Sequence, residues 1–165
     1  MKTPHILLAA SNVARMRTNL SHVLDAAATS AIDNEIKANV IGLFNLGLYH
    51  FTFAARLPAA DWRQRISRLY YAAYNTQRAL RLNVNGAYHT DSTDHIRIKD
   101  MPAGFPNEHI YAVQFPILRD DRNLCDYDHS AIELDLVISV QDATGLVTSF
   151  IEEARKFLAA KGIVV

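Results

Sequence analysis

Apolar residues recur at steps of three, four and seven along most of the chain, and that spacing is helical. After Asp61, the residues Trp62, Ile66, Leu69, Ala73 and Leu80 share one face, with arginines on the other. Asp61 can cap the start of this helix and Asn85-Gly86 can end it. A last helix opens on Ser139-Val140-Gln141-Asp142, which reads as a capping box. Ala143, Leu146, Val147, Phe150, Ala154, Phe157 and Leu158 then form one stripe, closed by Lys161 and Gly162. Upstream, Ile32, Ile36, Val40, Leu43, Phe44, Leu48 and Phe51 predict a long apolar helix that ends before Pro58. An earlier helix over about Ser11 to Ala28 follows from Val13, Leu20, Val23 and Leu24. Asn107 can cap a further helix toward Asp128, with Pro116 either kinking it or opening its second half. Ile132 to Val140 could form a strand, but a single strand has no partner here.

Together these elements predict an all-α protein, an up-and-down helical bundle of four to five helices in one domain over residues 1–165. The segment of roughly Asn83 to Pro106 has no helical period and predicts an irregular insertion. Loops of that length in compact domains are usually functional or mobile. It holds Tyr88, His89, Asp91, Asp94 and His95. The histidines and aspartates are metal ligands by type, but their spacing matches no zinc or EF-hand pattern, so solvated loop residues are the better reading. No Glu has a His three residues later, which excludes a di-iron bundle motif, and no phosphate-binding glycine loop appears. The sequence therefore calls for no cofactor and no metal.

Composition narrows the picture further. The 165 residues carry 17 Lys+Arg against 17 Asp+Glu, and half are apolar, which excludes a disordered or generally polybasic chain. A lone Cys125 has no partner for an internal disulfide, so a reducing, cytoplasmic setting is expected, with the thiol a small buried apolar group. The N-terminus has only a short apolar run, Ile6 to Ala10, too short for a secretory signal. Residues 38 to 55 contain no Asp, Glu, Lys or Arg, and 18 residues reach the lower bound for a membrane span. Asn39, Asn45, His50 and Thr52 make a buried core helix the better reading, so no membrane partner is expected.

The zero net charge hides two opposed segments. Residues 56 to 81 carry Arg56, Arg63, Arg65, Arg68, Arg78 and Arg81 against Asp61 alone. Residues 120 to 135 carry Asp120, Asp121, Asp126, Asp128, Glu133 and Asp135 against Arg122 alone. The arginines, interleaved with Tyr70, Tyr71 and Tyr74, could follow an RNA backbone; Arg68, Arg78 and Arg119 are weak candidates for that role. Pairing with the acidic segment, within the chain or across a dimer, is the favoured alternative.

Chemistry concentrates in Arg122-Asn123-Leu124-Cys125-Asp126-Tyr127-Asp128-His129. If the helix persists, Arg122 and His129 lie seven residues apart and differ by about 20° around the axis. An arginine can grip a phosphate by two parallel hydrogen bonds, and a histidine can move a proton near neutral pH. RNA brings its own nucleophile in the 2′-hydroxyl, so such a site needs no metal. The plainer reading is an Arg122–Asp126 ion pair at i,i+4 that staples the helix, with His129 ending it.

This stretch resembles the signature of HEPN-domain proteins, in which an arginine and a polar follower precede a histidine. Ser67-Arg68-Leu69-Tyr70-Tyr71-Ala72-Ala73-Tyr74-Asn75 is similar to a second stretch of that family. Asp142-Ala143, with Phe150, Ala154, Phe157 and Leu158, resembles its final helix. The likeness covers about residues 30 to 160. It implies a helical homodimer whose paired motifs meet in one cleft, and a metal-independent endoribonuclease in a toxin or anti-phage defence setting. It also implies an antitoxin or nucleotidyltransferase partner. Arg122 would stabilise the phosphate, Asn123 would orient the phosphate or the histidine, His129 would serve as acid or base, and Tyr127 would supply a supporting hydroxyl. Either Tyr127 or His129 could fill the family's histidine position. The alternative is a non-catalytic HEPN-like module that binds a nucleotide or a partner protein.

Overall fold

The computed structural model describes residues 12–87 and 92–165, and it is an all-α helical bundle. Its helices are α1 (Val13–Asn19), α2 (Ala26–Arg56), α3 (Trp62–Asn85), α4 (Glu108–Tyr127) and α5 (Val140–Ala159). Short 3-10 segments lie at Ala59–Asp61, Ser92–Lys99 and Glu133–Asp135. No strand forms among the described residues; an isolated bridge pairs Asn12 with Ala87. Ile132 to Val140 is therefore not a strand. It holds the Glu133–Asp135 turn and the first residue of α5.

The helix predicted over Ser11 to Ala28 is broken. Asp25 accepts a hydrogen bond from the Ala28 amide at 2.7 Å and so starts α2 well before Ile32, while α1 stops at Asn19. Ser11 and the Ile6 to Ala10 run lie outside the described residues. The 31 residues of α2 span about 46 Å. They bury one narrow stripe, Val40, Phe44, Gly47 and Ala54, rather than the whole apolar run. Leu46, Tyr49 and Phe53 on the other side are 43%, 64% and 37% exposed. No helix among the described residues is long and apolar enough to cross a membrane.

Pro58 and the Ala59–Asp61 turn fold α3 back along α2, and these two helices make the broadest pairing in the molecule. Close approach is possible because residue 47 is glycine. A Cβ there would lie 2.5 Å from Thr76 Oγ1 and 2.9 Å from the Ala72 carbonyl oxygen. Asp61 precedes α3 but its side chain makes no capping bond. Gly86 ends α3 with φ of 64°, as Asn85-Gly86 predicts, and hands on to α1, where Val13 N donates to Gly86 O at 2.8 Å.

α3 is the centre of the bundle, packing on α2, α4 and α5, with Ile66, Leu69, Tyr70, Ala73 and Leu80 buried. The segment expected to be irregular contains an eight-residue 3-10 helix, Ser92–Lys99, laid against α3 and α4. Its anchor is Asp94, 1% exposed, which forms ion pairs with Arg78 at 3.1 Å and Arg81 at 3.0 Å. Gln77 Nε2 adds bonds to the carbonyls of Arg97 and Asp100, both at 2.8 Å. A 3-period helix hides from a 3.6-period search, so the sequence pattern missed it.

α4 runs continuously through Pro116. Asn107 precedes it with φ of 51° and gives no side-chain cap; its Nδ2 instead donates to Glu153 Oε1 on α5 at 2.8 Å. Tyr111 Oη donates to the same carboxylate, and Phe105, Tyr111, Phe115 and Phe150 pack as an aromatic cluster between α4 and α5. The α5 stripe is buried at Ala143, Val147, Phe150, Ala154 and Leu158, and Ser139 Oγ accepts from the Asp142 amide at 3.0 Å. Asp142 does not return a bond to the Ser139 amide; its carboxylate accepts from Ser139 Oγ at 2.6 Å.

Candidate functional site

Three elements meet around the last turns of α4. Arg119, Arg122 and Asn123 come from α4, Tyr70 from the middle of α3, and His95 and Ile96 from the 3-10 segment; together they line an open cleft of about 510 Å³. The packing of Asp94 against Arg78 and Arg81 sets the depth of the 3-10 segment, and so places His95 at the cleft.

Arg122 is held from several sides. Its Nη2 donates to Tyr71 Oη at 2.6 Å and its Nη1 to Asn123 Oδ1 at 3.1 Å. Its Nε lies 2.7 Å from Asp126 Oδ2, so the predicted i,i+4 ion pair is present. The guanidinium also sits over the rings of Tyr71, Tyr127 and Tyr70, with its carbon 5.2, 5.6 and 5.8 Å from their centroids. Burial works against its charge, but Tyr71, Asp126 and Tyr127 together outweigh that effect, and its pKa stays above the ordinary arginine value.

His95 is fixed as firmly. Its Nδ1 lies 2.7 Å from Tyr70 Oη, and its ring stacks on Tyr74 with centroids 4.3 Å apart and planes inclined by 15°. Burial lowers its pKa below the ordinary 6.5, and the Arg122 guanidinium lowers it further, with Asp94 opposing. Burial holds the Tyr70 hydroxyl well above its ordinary value and pushes Tyr74 up to about 12, so both stay protonated at neutral pH.

No family model matches the chain, and no curated protein or solved structure does so either.

Of the other predicted residues, Tyr127 stays beside Arg122 and His129 does not. α4 ends at Tyr127, whose side chain is 76% exposed. Asp128 leaves the helix with φ of −98° and ψ of 105°, and its carboxylate accepts from Ser130 N and Ser130 Oγ at 2.8 and 2.7 Å. Those bonds lower the Asp128 pKa. Arg63 fastens this exit by donating to the carbonyls of Cys125 at 2.9 Å, Asp128 at 2.6 Å and Ala131. His129 consequently lies exposed in a turn beyond the helix, and the two-turn alignment with Arg122 does not form.

Arg119 lines the cleft, whereas Arg68 and Arg78 do not. Arg68 lies over Phe53, and Arg78 is ion-paired to Asp94. The expected pairing of the arginine-rich helix with the carboxylates of residues 120 to 135 takes another form. Arg63 binds backbone carbonyls there, Arg78 and Arg81 use Asp94 instead, and buried Asp121 accepts from the amides of Val137 and Ile138. Cys125 is buried, and burial pushes its thiol up to about 11, which leaves it unreactive at neutral pH.

No group of three or more His, Cys, Asp or Glu side chains among the described residues could hold a metal. Asp94 is committed to arginines and His95 to tyrosines, while His89 and Asp91 lie outside the described residues. His95 and Ile96 are the cleft residues that motif reading missed, since the spacing around His95 predicts a solvated loop residue. Arg78 and Arg81, three apart on one face of α3, both pair with Asp94, but no sequence pattern distinguishes that carboxylate from those of residues 120 to 135.

Proposed function

We propose that the cleft binds a phosphodiester of RNA and that the protein is a metal-independent endoribonuclease of HEPN type. The observation that carries this reading is the lining itself: two guanidiniums, an amide, an imidazole and a phenol, with the carboxylates that pair the arginines, Asp120 at 2.9 Å from Arg119 and Asp126 at 2.7 Å from Arg122, outside the lining. Such a set suits a phosphate, because guanidinium donors match its oxygens and the imidazole can move a proton. Arg122 stands pre-oriented by Tyr71 and Asp126, so little conformational entropy is lost when it meets an anion. Two stretches that carry the HEPN resemblance also meet here, through the Tyr71–Arg122 bond. Attack of the ribose 2′-hydroxyl on the adjacent phosphorus would leave a 2′,3′-cyclic phosphate and a 5′-hydroxyl. A homodimer, an antitoxin or nucleotidyltransferase partner and a defence role belong to the same proposal.

A non-catalytic module that holds a nucleotide is the second reading, favoured by the position of His129 outside the helix. Incubation of RNA with the protein in EDTA, alongside fluorescence anisotropy with the same RNA, separates the two. The endoribonuclease reading expects cleavage, reduced at least about a hundredfold by Arg122→Ala. Tight nucleotide or RNA binding with the strands left whole would establish the second.

A further inference from the structure

We propose that His95, rather than His129, is the histidine that transfers the proton in this cleft. The inference rests on the phosphodiester reading above and names the residue that serves it. His95 lines the same cleft as Arg119, Arg122 and Asn123, whereas His129 stands exposed beyond the end of α4. The contacts of His95 are those of a positioned base. Tyr70 Oη engages Nδ1 at 2.7 Å and Tyr74 stacks on one ring face, which fixes the ring and leaves Nε2 for a ligand.

A histidine within a core of tyrosines commonly serves packing alone, but this one is also part of the wall of a cation-lined cleft. In the tautomer that this role requires, Nδ1–H donates to Tyr70 Oη, and Nε2 holds a lone pair that takes the proton of the 2′-hydroxyl. O2′ then forms its bond to phosphorus and the P–O5′ bond breaks. The departing O5′ takes the proton from His95 Nε2 through a solvent water, and the imidazole ends neutral. Arg119 and Arg122 offset the charge that builds on the phosphoryl oxygens.

The surroundings favour the neutral base. From α3 it is faced by Tyr70, Tyr71, Tyr74 and Arg78, from its own segment by Asp94, and from α4 by Arg119 and Arg122. Burial and the arginines outweigh Asp94, so the imidazole remains unprotonated somewhat below pH 6.5.

The test is the pH dependence of RNA cleavage in EDTA by wild type, His95→Ala, His129→Ala and Tyr70→Phe. His95→Ala should lose at least about a hundredfold in kcat with KM changed less than about threefold, and added imidazole should restore part of it. Tyr70→Phe keeps the ring and its packing but releases Nδ1, so the midpoint of the acidic limb should move. The proposal is overturned, with the phosphodiester reading intact, if His129→Ala abolishes cleavage while His95→Ala retains it. Should His95→Ala lose its cooperative thermal transition, an unaltered pH profile in Tyr70→Phe overturns it equally. Wild type that leaves RNA whole at every pH ends both the cleavage reading and this role for His95.

Discussion

At the scale of single residues, Arg122 is the side chain on which the proposed site depends, and its orientation is set by Tyr71, Asn123 and Asp126. Tyr71→Phe removes the 2.6 Å acceptor of Arg122 Nη2 while keeping the ring beneath it. Its cost to stability should be about 1 kcal/mol by urea unfolding. Cleavage should fall about tenfold, because Arg122 keeps Asp126 and Asn123 but loses one of its three polar partners. Equal cleavage by Tyr71→Phe and wild type would show that this hydroxyl does not position the guanidinium. Asp94→Ala should be far more costly, about 3–5 kcal/mol, since it leaves Arg81, with a side chain 6% exposed, without its carboxylate. A loss under about 1 kcal/mol in urea would contradict that account of the anchor.

At the scale of elements, the helices of the bundle were legible because each long helix carries a regular stripe and several carry a terminal signal. Gly86 ended α3 where expected, and the α5 stripe was buried nearly as predicted. What periodicity could not show was the tightness of one pairing and the end of one helix. α2 approaches α3 so closely that Gly47→Ala would put a methyl 2.5 Å from Thr76 Oγ1 and 2.9 Å from a backbone oxygen that cannot turn away. The expected loss is about 1–3 kcal/mol, read as a lowered urea midpoint with an unchanged slope. The end of α4 is set by a distant residue. Arg63, on α3, collects the carbonyls that the helix terminus would leave orphaned. Arg63→Ala should therefore raise hydrogen exchange selectively across residues 125 to 131, whereas protection there unchanged from wild type would rule the clamp out. No local pattern in residues 122 to 129 announces that clamp, which is why His129 read as a helical neighbour of Arg122.

At the scale of the whole molecule, the cleft joins residues that are far apart in the chain: Tyr70, His95 and Arg122 sit on three elements. The sequence motif supplied the α4 side and, through the resemblance, the α3 tyrosines. The third wall came from a 3-10 segment that helical periodicity passes over. His50 and His95 share a property of the folded state: burial lowers the pKa of each below the ordinary 6.5. The unfolded chain therefore binds these protons more readily, and stability present above pH 6.5 should decline as pH falls below it. His95→Gln should flatten part of that decline in urea unfolding followed from pH 7 to 5. An identical slope in that variant would mean that His95 is not held neutral by the fold.

The central claim is that Arg122 and its neighbours act on an RNA phosphodiester without a metal. Mass spectrometry of the ends produced from a short RNA in EDTA tests it most directly. The expected result is fragments ending in 2′,3′-cyclic phosphate from the wild type, with at least about a hundredfold fewer from Arg122→Ala. Intact RNA from the wild type, or equal yields of such ends from the two proteins, would contradict it.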